Sequence, residues 1–516
     1  MTAQVGLSTI AAELQTEFTR MVGERGNKEQ YWEDYAGWTL PYIYPHEFAT
    51  TQEEFQHDYS SIGAQATNHL ANKIVMTLFA PGKPFFKIEL NQDQTAALVD
   101  AGIKPADIEV LTGKVEKLAM RNMERVRLRT TVINAVKALI VLGNTLIFFP
   151  PDGTSGEKSQ VYSLRDYVVR RDMSGTVTQI ITRDRRVVST LPDDVRMQAN
   201  LSGRKPEDKV VVYTGITRGR DGKFFVKQEI DELFVVDTSF GTYNEADLPW
   251  IPLTWNLVRG DDYGTGLVEE YAGDFSVYSS LAESNLNLAS IAADIKILVN
   301  PMGQTDVDQL NEAESGTYVY GVLDDVAYLQ LEKLQDFQFV KGIMDDYARR
   351  IGAAFLLNSQ VTRDAERVTA EEIRLQANEL EASLGGVYSG LAETMQQPLA
   401  RKLVGTVDSE LKDLDLIILT GIESLSRNSE HEQLMLFLND LTLFTQLPEE
   451  MMAEINLNDV AKILAVNRGI EVGKILKSEK QKKEEQEAAA QAQVQQAGAI
   501  SGAEAAGEAA GTPQTL

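Results

Sequence analysis

Between Thr265 and Arg374 the chain strings together a long helix, a short two-stranded insert, a second helix, a polar loop and a third long helix. This run constrains the fold more than any other stretch. No proline falls between Leu267 and Val299, and apolar residues recur at Leu267, Tyr271, Phe275, Tyr278, Leu281, Leu286, Leu288, Ile291, Ile295 and Leu298. Much of that spacing is three or four, which predicts one helix, roughly 50 Å long at ~1.5 Å per residue. Glu269 and Glu270 sit in its first turn, where acidic groups favour the positive end of the helix dipole. From Phe275 to Val299 the only charges are Glu283, Asp294 and Lys296, while alanine, serine and asparagine fill the other faces, so the helix is expected to pack on several sides. It does not read as a membrane span: Glu283, Asn285 and Asn287 interrupt its middle, and no apolar run of ~18 residues exists. Such a layout offers few options to an enzyme and several to an assembly.

Asn300, Pro301 and Gly303 stop the helix, and Thr317 to Tyr320 and Val326 to Leu331 read as short strands around Gly321 to Asp325. The second helix carries Val340, Ile343, Tyr347, Ile351 and Phe355, and Asn358 to Val368 reads as loop. Thr369 to Glu372 fits a capping box, in which the Thr369 hydroxyl and the Glu372 carboxylate satisfy each other's backbone donors. The third helix runs through Ile373, Ala377, Leu380, Leu384, Val387, Leu391 and Met395. Gly385, Gly386 and Pro398 should bend it, because each weakens or interrupts the backbone ladder.

Charge narrows the partners. The 516 residues carry 76 acidic side chains against 49 basic ones, a formal net charge of −27. A tight nucleic-acid binder draws its affinity from neutralising phosphates, so this chain should not clamp DNA. An acidic wall is compatible with DNA that slides past, although charge alone reads first as keeping a large protein soluble. Hydrophobic residues make up 43%, enough for a sizeable core, and the length predicts two to four structural regions. There is no cysteine, which excludes disulfides and thiolate metal sites and fits an intracellular setting. Met1 to Leu14 lacks the basic and apolar regions of a secretory signal.

In chain order, Ile10 to Tyr35 is helical in pattern and precedes an aromatic, proline-containing connector, Trp38 to Pro45. Ser61 to Phe79 is an amphipathic helix, and helices dominate again from Gln92 to Leu142. There Lys117, Arg121, Arg125 and Arg129, at spacings of four, predict a basic stripe, which reads as a solvated or subunit-facing surface rather than a DNA contact. Between Thr145 and Val258 the period changes to two. Thr145 to Phe149, Gln160 to Val169, Val177 to Arg183, Lys209 to Ile216, Lys223 to Gln228 and Leu233 to Asp237 are strand candidates, with turns at Asp172 to Gly175 and Arg218 to Gly222. A β-rich region among helices makes the fold α+β. A further strand is expected at Leu414 to Leu419 and helices from Ser429 to Leu476. The low-complexity Ala488 to Leu516 is expected to be disordered.

No motif carries catalysis. Gly153 to Ser159 resembles a phosphate loop, but its lysine does not follow a glycine and no helix follows. Gly264-Thr-Gly266 lacks the crossover unit and third glycine of a dinucleotide site and reads as the start of a helix. Asp306 and Asp308 have the alternate spacing of a calcium loop, without its sixth-position glycine or twelfth-position glutamate. The four histidines are scattered, and no Gly-x-Ser-x-Gly elbow exists. We therefore expect no enzyme, no metal and no cofactor. Over Gln335 to Arg374 six basic residues (Lys341, Arg349, Arg350, Arg363, Arg367, Arg374) face seven acidic ones (Asp336, Asp345, Asp346, Asp364, Glu366, Glu371, Glu372), a net of −1. On composition alone the mixed loop reads as a helix–helix connector rather than as a loop that reaches into a lumen.

Seven motifs in consistent order resemble the portal (head-to-tail connector) proteins of short-tailed, podovirus-type bacteriophages. They are Tyr42-Ile-Tyr-Pro45, Gly143-Asn144, Tyr263-Gly-Thr-Gly-Leu-Val-Glu-Glu-Tyr271, Asn300-Pro301, Leu329-Gln-Leu-Glu-Lys333, Arg367-Val-Thr-Ala-Glu-Glu-Ile-Arg374 and Leu384-Gly-Gly-Val-Tyr-Ser389. The resemblance implies a portal fold with long stem helices, a β-containing wing and clip and a helical C-terminal crown, assembled as a ring of twelve copies at one capsid vertex. It divides the chain into a wing (residues 1–264), a first stem helix (265–299), a clip (300–334), a second stem helix (335–357), a tunnel loop (358–368), a kinked helix and strand of the wing (369–427), a crown (428–477) and a tail (478–516). It implies that Lys341, Arg349, Arg350, Asn358, Gln360, Arg363 and Arg367 face DNA in the channel, and that Asp306, Asp308, Glu312, Glu314, Asp324 and Asp325 in the clip meet an adaptor or terminase. The implied partners are further copies of the chain, double-stranded DNA held weakly and without sequence preference, terminase, tail adaptor, and scaffolding, major capsid and internal core proteins, with no membrane. A non-viral intracellular oligomeric scaffold is the other reading of the same composition.

Overall fold

The computed structural model describes residues 13–45, 58–80, 85–90, 105–150, 158–191, 193–198, 201–230, 234–235, 241–293, 296–329, 334–357, 370–407 and 416–420. The chain divides into two units, Met1–Asn91 with Leu111–Ile422, and Gln92–Val110 with Glu423–Leu516. All but a few described residues belong to the first. The expected crown helices and low-complexity tail lie outside the described residues, as does most of the phosphate-loop look-alike.

The expected first helix is two, α1 (Glu13–Glu24) and α2 (Lys28–Trp38). The α1 stripe of Leu14, Phe18 and Met21 is buried against Val168, Ile181 and Tyr213, which lie on the main sheet. That sheet is antiparallel, in the order β4 (Tyr167–Arg171), β5 (Val177–Val187), β6 (Lys209–Arg218), β7 (Phe224–Ile230), β8 (Phe234–Val235), with β9 (Gly241–Tyr243) also on β7. Alternation along β6 seats Val210 and Val212 in a second cluster with Val188, Leu191, Leu201 and Ile230, where the short helix α6 (Asp193–Gln198) adds Val195. Both expected turns are present: the Gly175 N–H donates to the Asp172 carbonyl at 3.0 Å, and the Gly219 N–H to the Lys223 carbonyl at 2.7 Å.

The expected strand Gln160 to Val169 is broken. β3 (Gln160–Tyr162) joins a separate three-stranded sheet, β10 (Trp250–Thr254)–β2 (Asn144–Phe148)–β3, and a turn at Ser163 to Asp166 leads into β4. Behind this second sheet lies α5 (Leu128–Leu142), apolar on nearly every face and correspondingly buried, with α3 (Ile62–Leu78) packed on it. A left-handed Arg127 (φ 56°) separates α5 from α4 (Pro105–Arg125). The basic stripe therefore stops: Lys117, Arg121 and Arg125 are exposed on α4, whereas Arg129 sits on α5 and donates to the Phe79 carbonyl at 2.9 Å. β1 (Phe86–Leu90) pairs with β13 (Leu416–Thr420), close to the expected Leu414 to Leu419.

The central run departs from expectation at one end. The expected single helix is α7 (Leu267–Glu270) and α8 (Ala272–Ala293), and Lys296–Val299 is not helical but β11, antiparallel to β12 (Val326–Leu329). A four-residue apolar run fits either period, and here a strand partner beyond the insert decides. Thr317 to Tyr320, expected as the strand beside Val326 to Leu331, forms no ladder. α9 (Val307–Glu312) lies within the insert, and α10 (Leu334–Ala354) returns along α8. The third helix breaks where its glycines stand: α11 (Ala370–Leu384), Gly385 and Gly386 at φ 58° and 91°, α12 (Val387–Leu391), a π-helical turn Ala392–Gln396, and α13 (Gln397–Gly405) with Pro398 in its first turn.

Candidate functional site

The helix pair α8–α10 begins at a corner made of backbone. Asn144 donates through Nδ2 to the Leu142 and Gly264 carbonyls, both at 2.8 Å, and accepts the Gly264 N–H through Oδ1 at 2.8 Å. Gly143 has φ 72°, and a Cβ there would collide with the backbone of Thr265 and Gly266. A Cβ on Gly266 would in turn lie 2.7 Å from the Gly143 nitrogen. Gly143-Asn144 and Gly264-Thr-Gly266 are thus two halves of one close contact rather than a nucleotide loop. Beside it the buried Arg25 donates to the Tyr263 hydroxyl at 3.0 Å, to the Leu164 carbonyl at 2.9 Å and to the Tyr167 carbonyl, with its guanidinium 4.9 Å from the Tyr263 ring centre. Sequence reasoning missed Arg25 entirely; a single arginine in the short polar turn between α1 and α2 gives no signal of burial. Burial also pushes the Glu269 carboxyl up, partly offset by a backbone hydrogen bond at Gly266.

From this corner α8 and α10 run antiparallel. Phe275, near the start of α8, meets Phe355, just past the end of α10, edge to face at 5.6 Å, and Tyr271 joins them. Ile351 and Phe355 are fully buried. Ser279 donates to Asp58 at 2.5 Å and Tyr59 to Glu283 at 3.2 Å, tying the first half of α8 to the body. Farther along, Leu286 on α8 and Phe339 on α10 are 56% and 70% exposed in the single chain.

Of the channel candidates, Lys341, Arg349 and Arg350 are all exposed on α10. Arg349 pairs with Asp346 and donates to the Asp345 carbonyl at 3.3 Å, while Arg350 lies 5.0 Å from the Tyr347 ring centre. Helical rotation of ~100° per residue places Lys341 and Arg350 on opposite sides of α10, so the three do not share one wall. Asn358, Gln360, Arg363 and Arg367 lie outside the described residues, as does Thr369 of the expected capping box.

In the insert between β11 and β12, expected to be the clip, Asp306, Asp308, Glu312, Glu314 and Asp324 are exposed. Asp306 caps α9 by accepting the Asp308 N–H at 3.0 Å, as a solvated turn would. Asp325, expected with them at an adaptor or terminase contact, is instead turned inward. Its Oδ2 accepts the Gln304 N–H at 2.8 Å, the Thr305 N–H at 3.2 Å and the Thr305 hydroxyl at 3.0 Å, and only a glycine fits at position 303 beside its carboxylate. A polar knot orders this insert in place of an apolar core, and that gives Asp325 a structural role rather than a surface one.

Among the described residues no helix is long and apolar enough to cross a membrane, and no group of histidines and carboxylates could hold a metal. The profile of a family described as "Bacteriophage head to tail connecting protein" matches residues 11–476. The chain is 35% identical to the portal protein of Enterobacteria phage SP6 over 90% of its own length and 89% of that protein's. It is 33% identical to the portal protein of Enterobacteria phage T3 over 97% and 95%, and 32% identical to that of Escherichia phage T7 over 90% and 88%. A solved structure titled "Neck of native GTA particle computed with C12 symmetry" aligns with 78% of this chain and 99% of its own, at 11% identity and a TM-score of 0.32. With its profile match running from the first helix to residue 476 and relatives aligned nearly end to end, the chain belongs to the bacteriophage head to tail connecting protein family, as a portal protein.

Proposed function

We propose that twelve copies of the chain close into a ring at one vertex of the capsid. Double-stranded DNA is packaged and ejected through the ring, which seats terminase during filling and the tail adaptor afterwards. Scaffolding, major capsid and internal core proteins are its neighbours on the head side, and the ring is built in the host cytoplasm before it becomes part of the virion. The family membership supports this reading and sets aside an unrelated scaffold. The observation that carries it at the level of structure is the antiparallel pair α8–α10, fixed at its root by Phe275 and Phe355 and ending in an acidic insert. Ring closure follows when one face of a subunit meets a different face of the next at a rotation that closes. ATP hydrolysis belongs to terminase in this scheme, and the chain acts as a conduit with weak, non-specific DNA contact.

Rotational averaging of negatively stained particles tests it. A ring with a central channel is expected, with twelve repeats. A strictly monomeric species by light scattering at all concentrations would overturn the reading.

A further inference from the structure

α4 turns a cationic face to solvent. Its buried side is Ala119 and Met123, and both flanks are held: the Glu116 carboxylate accepts the Ile88 N–H at 2.8 Å, and Asn122 donates to the Thr406 hydroxyl at 3.0 Å. At about 3.6 residues per turn, Lys114, Lys117, Arg121 and Arg125 fall within about 80° of one another, on the side opposite Ala119 and Met123. All four are exposed, and they span roughly 16 Å of helix at ~1.5 Å per residue. Among the described residues no carboxylate pairs with Lys114, Lys117 or Arg121. Leu118, at the edge of the same face, is 46% exposed. From Lys114 to Arg129 six basic residues stand against two acidic ones, a net of +4. The rest of the chain is left with 43 basic and 74 acidic side chains, a net of −31.

We propose that this face of α4 is one half of a contact between neighbouring copies of the chain, and that it seats on a carboxylate-bearing face of the next copy. The inference rests on the ring reading given above and names a surface that the ring uses. A cationic face does not meet itself, because like charges across an interface are strongly disfavoured. Two-fold pairing through α4 is therefore ruled out, and the contact must join two different faces. That is the kind of contact that closes a ring. With a net of −31 outside the stripe, each neighbour brings carboxylates in excess. DNA suits the face less well: it must approach a molecule that is otherwise strongly negative, and it offers no apolar cover for Leu118, which a protein surface can bury. The lysines and arginines steer encounter and fix orientation more than they supply affinity.

Zero-length carbodiimide coupling joins a lysine amine to a carboxylate that it touches. The test applies it to full-length rings assembled from an equal mixture of unlabelled and heavy-isotope-labelled chains. Mass spectrometry should find Lys114 or Lys117 joined to an aspartate or glutamate in mixed-isotope pairs, which only two different copies can give. In K114E/K117E/R121E, ring formation followed by light scattering should need at least about tenfold more protein than wild type. K114R/K117R/R121K, which keeps the charges, should assemble as wild type. The coupling experiment depends on no variant, so it decides even where the reversed chain fails to fold. Coupling of these lysines only within their own chain, or not at all, overturns the proposal. So does wild-type assembly of the reversed variant, and reversed rings that form normally but retain less DNA would assign the face to nucleic acid instead. Wild-type protein that forms no ring overturns the ring reading itself, whereas a wild-type ring without these couplings overturns only this contact.

Discussion

Glu229 on β7 is fully buried at the start of α1, where its Oε2 accepts the Leu14 N–H at 2.8 Å and its Oε1 has no hydrogen-bond partner. Burial raises its pKa above the ordinary 4.5, against the opposing pull of the backbone N–H groups of Leu14 and Gln15 and of Lys227. A carboxyl whose folded pKa is raised binds its proton more tightly folded than unfolded. Its contribution is therefore full below pH 4.5 and is lost as pH rises through the raised value. We expect Glu229→Gln to keep the cap on α1 and to flatten the decline in melting temperature as pH rises above 4.5, measured by thermal melts across a pH series. Gly143 is the second sensitive position. Gly143→Ala places a side chain at φ 72° against the backbone of Thr265 and Gly266, and should destabilise by at least about 1 kcal/mol for the left-handed conformation alone. Urea unfolding would read this loss, and a wild-type midpoint would refute it. Gly143-Asn144 and Gly264-Thr-Gly266 were both visible as motifs. That they meet was not, because nothing local links residues so far apart in the chain.

At the scale of elements, the α8–α10 pair depends on its root. Phe355 is fully buried and meets Phe275 edge to face, although it follows the last helical residue of α10. We expect Phe355→Ala to cost about 3–5 kcal/mol, as large-to-small changes in packed cores do, and to reduce ring yield in size-exclusion chromatography. Ring formation and chemical unfolding unchanged from wild type would count against this. The apolar spacing of three and four through Ile351 and Phe355 made the second helix legible. The same spacing misled at the far end of α8, where Ile295 and Leu298 continue the pattern but Lys296–Val299 is a strand. The ladder to Val326–Leu329 supplies hydrogen-bond partners along one edge of those four residues, and helical periodicity takes no account of that partner.

For the whole molecule, the governing quantity is charge. A net −27 makes firm gripping of DNA by the body unfavourable, and on the proposed channel reading any brief contact would fall to the few arginines near residues 358–368. We expect Arg363→Gln with Arg367→Gln to impair packaging of DNA into proheads more than ring assembly. Normal packaging by the double variant would remove the proposed role of the loop.

The sequence by itself determined what depends on neighbours within a few turns. This includes the α+β class, the order of helix, insert, helix and third helix, the two hairpin turns, and the break at Gly385-Gly386. Periodicity, glycine and proline act through local backbone geometry, so they can be read without a fold. Only the tertiary structure decided that Phe86–Leu90 pairs with Leu416–Thr420, that Arg25 lies buried under Tyr263, and that Asp325 turns inward while five similar acids stay outside. Those outcomes depend on which backbone donors and ring faces the remote chain brings alongside. A carboxylate that caps a knot and one that faces water have the same local sequence until the chain folds.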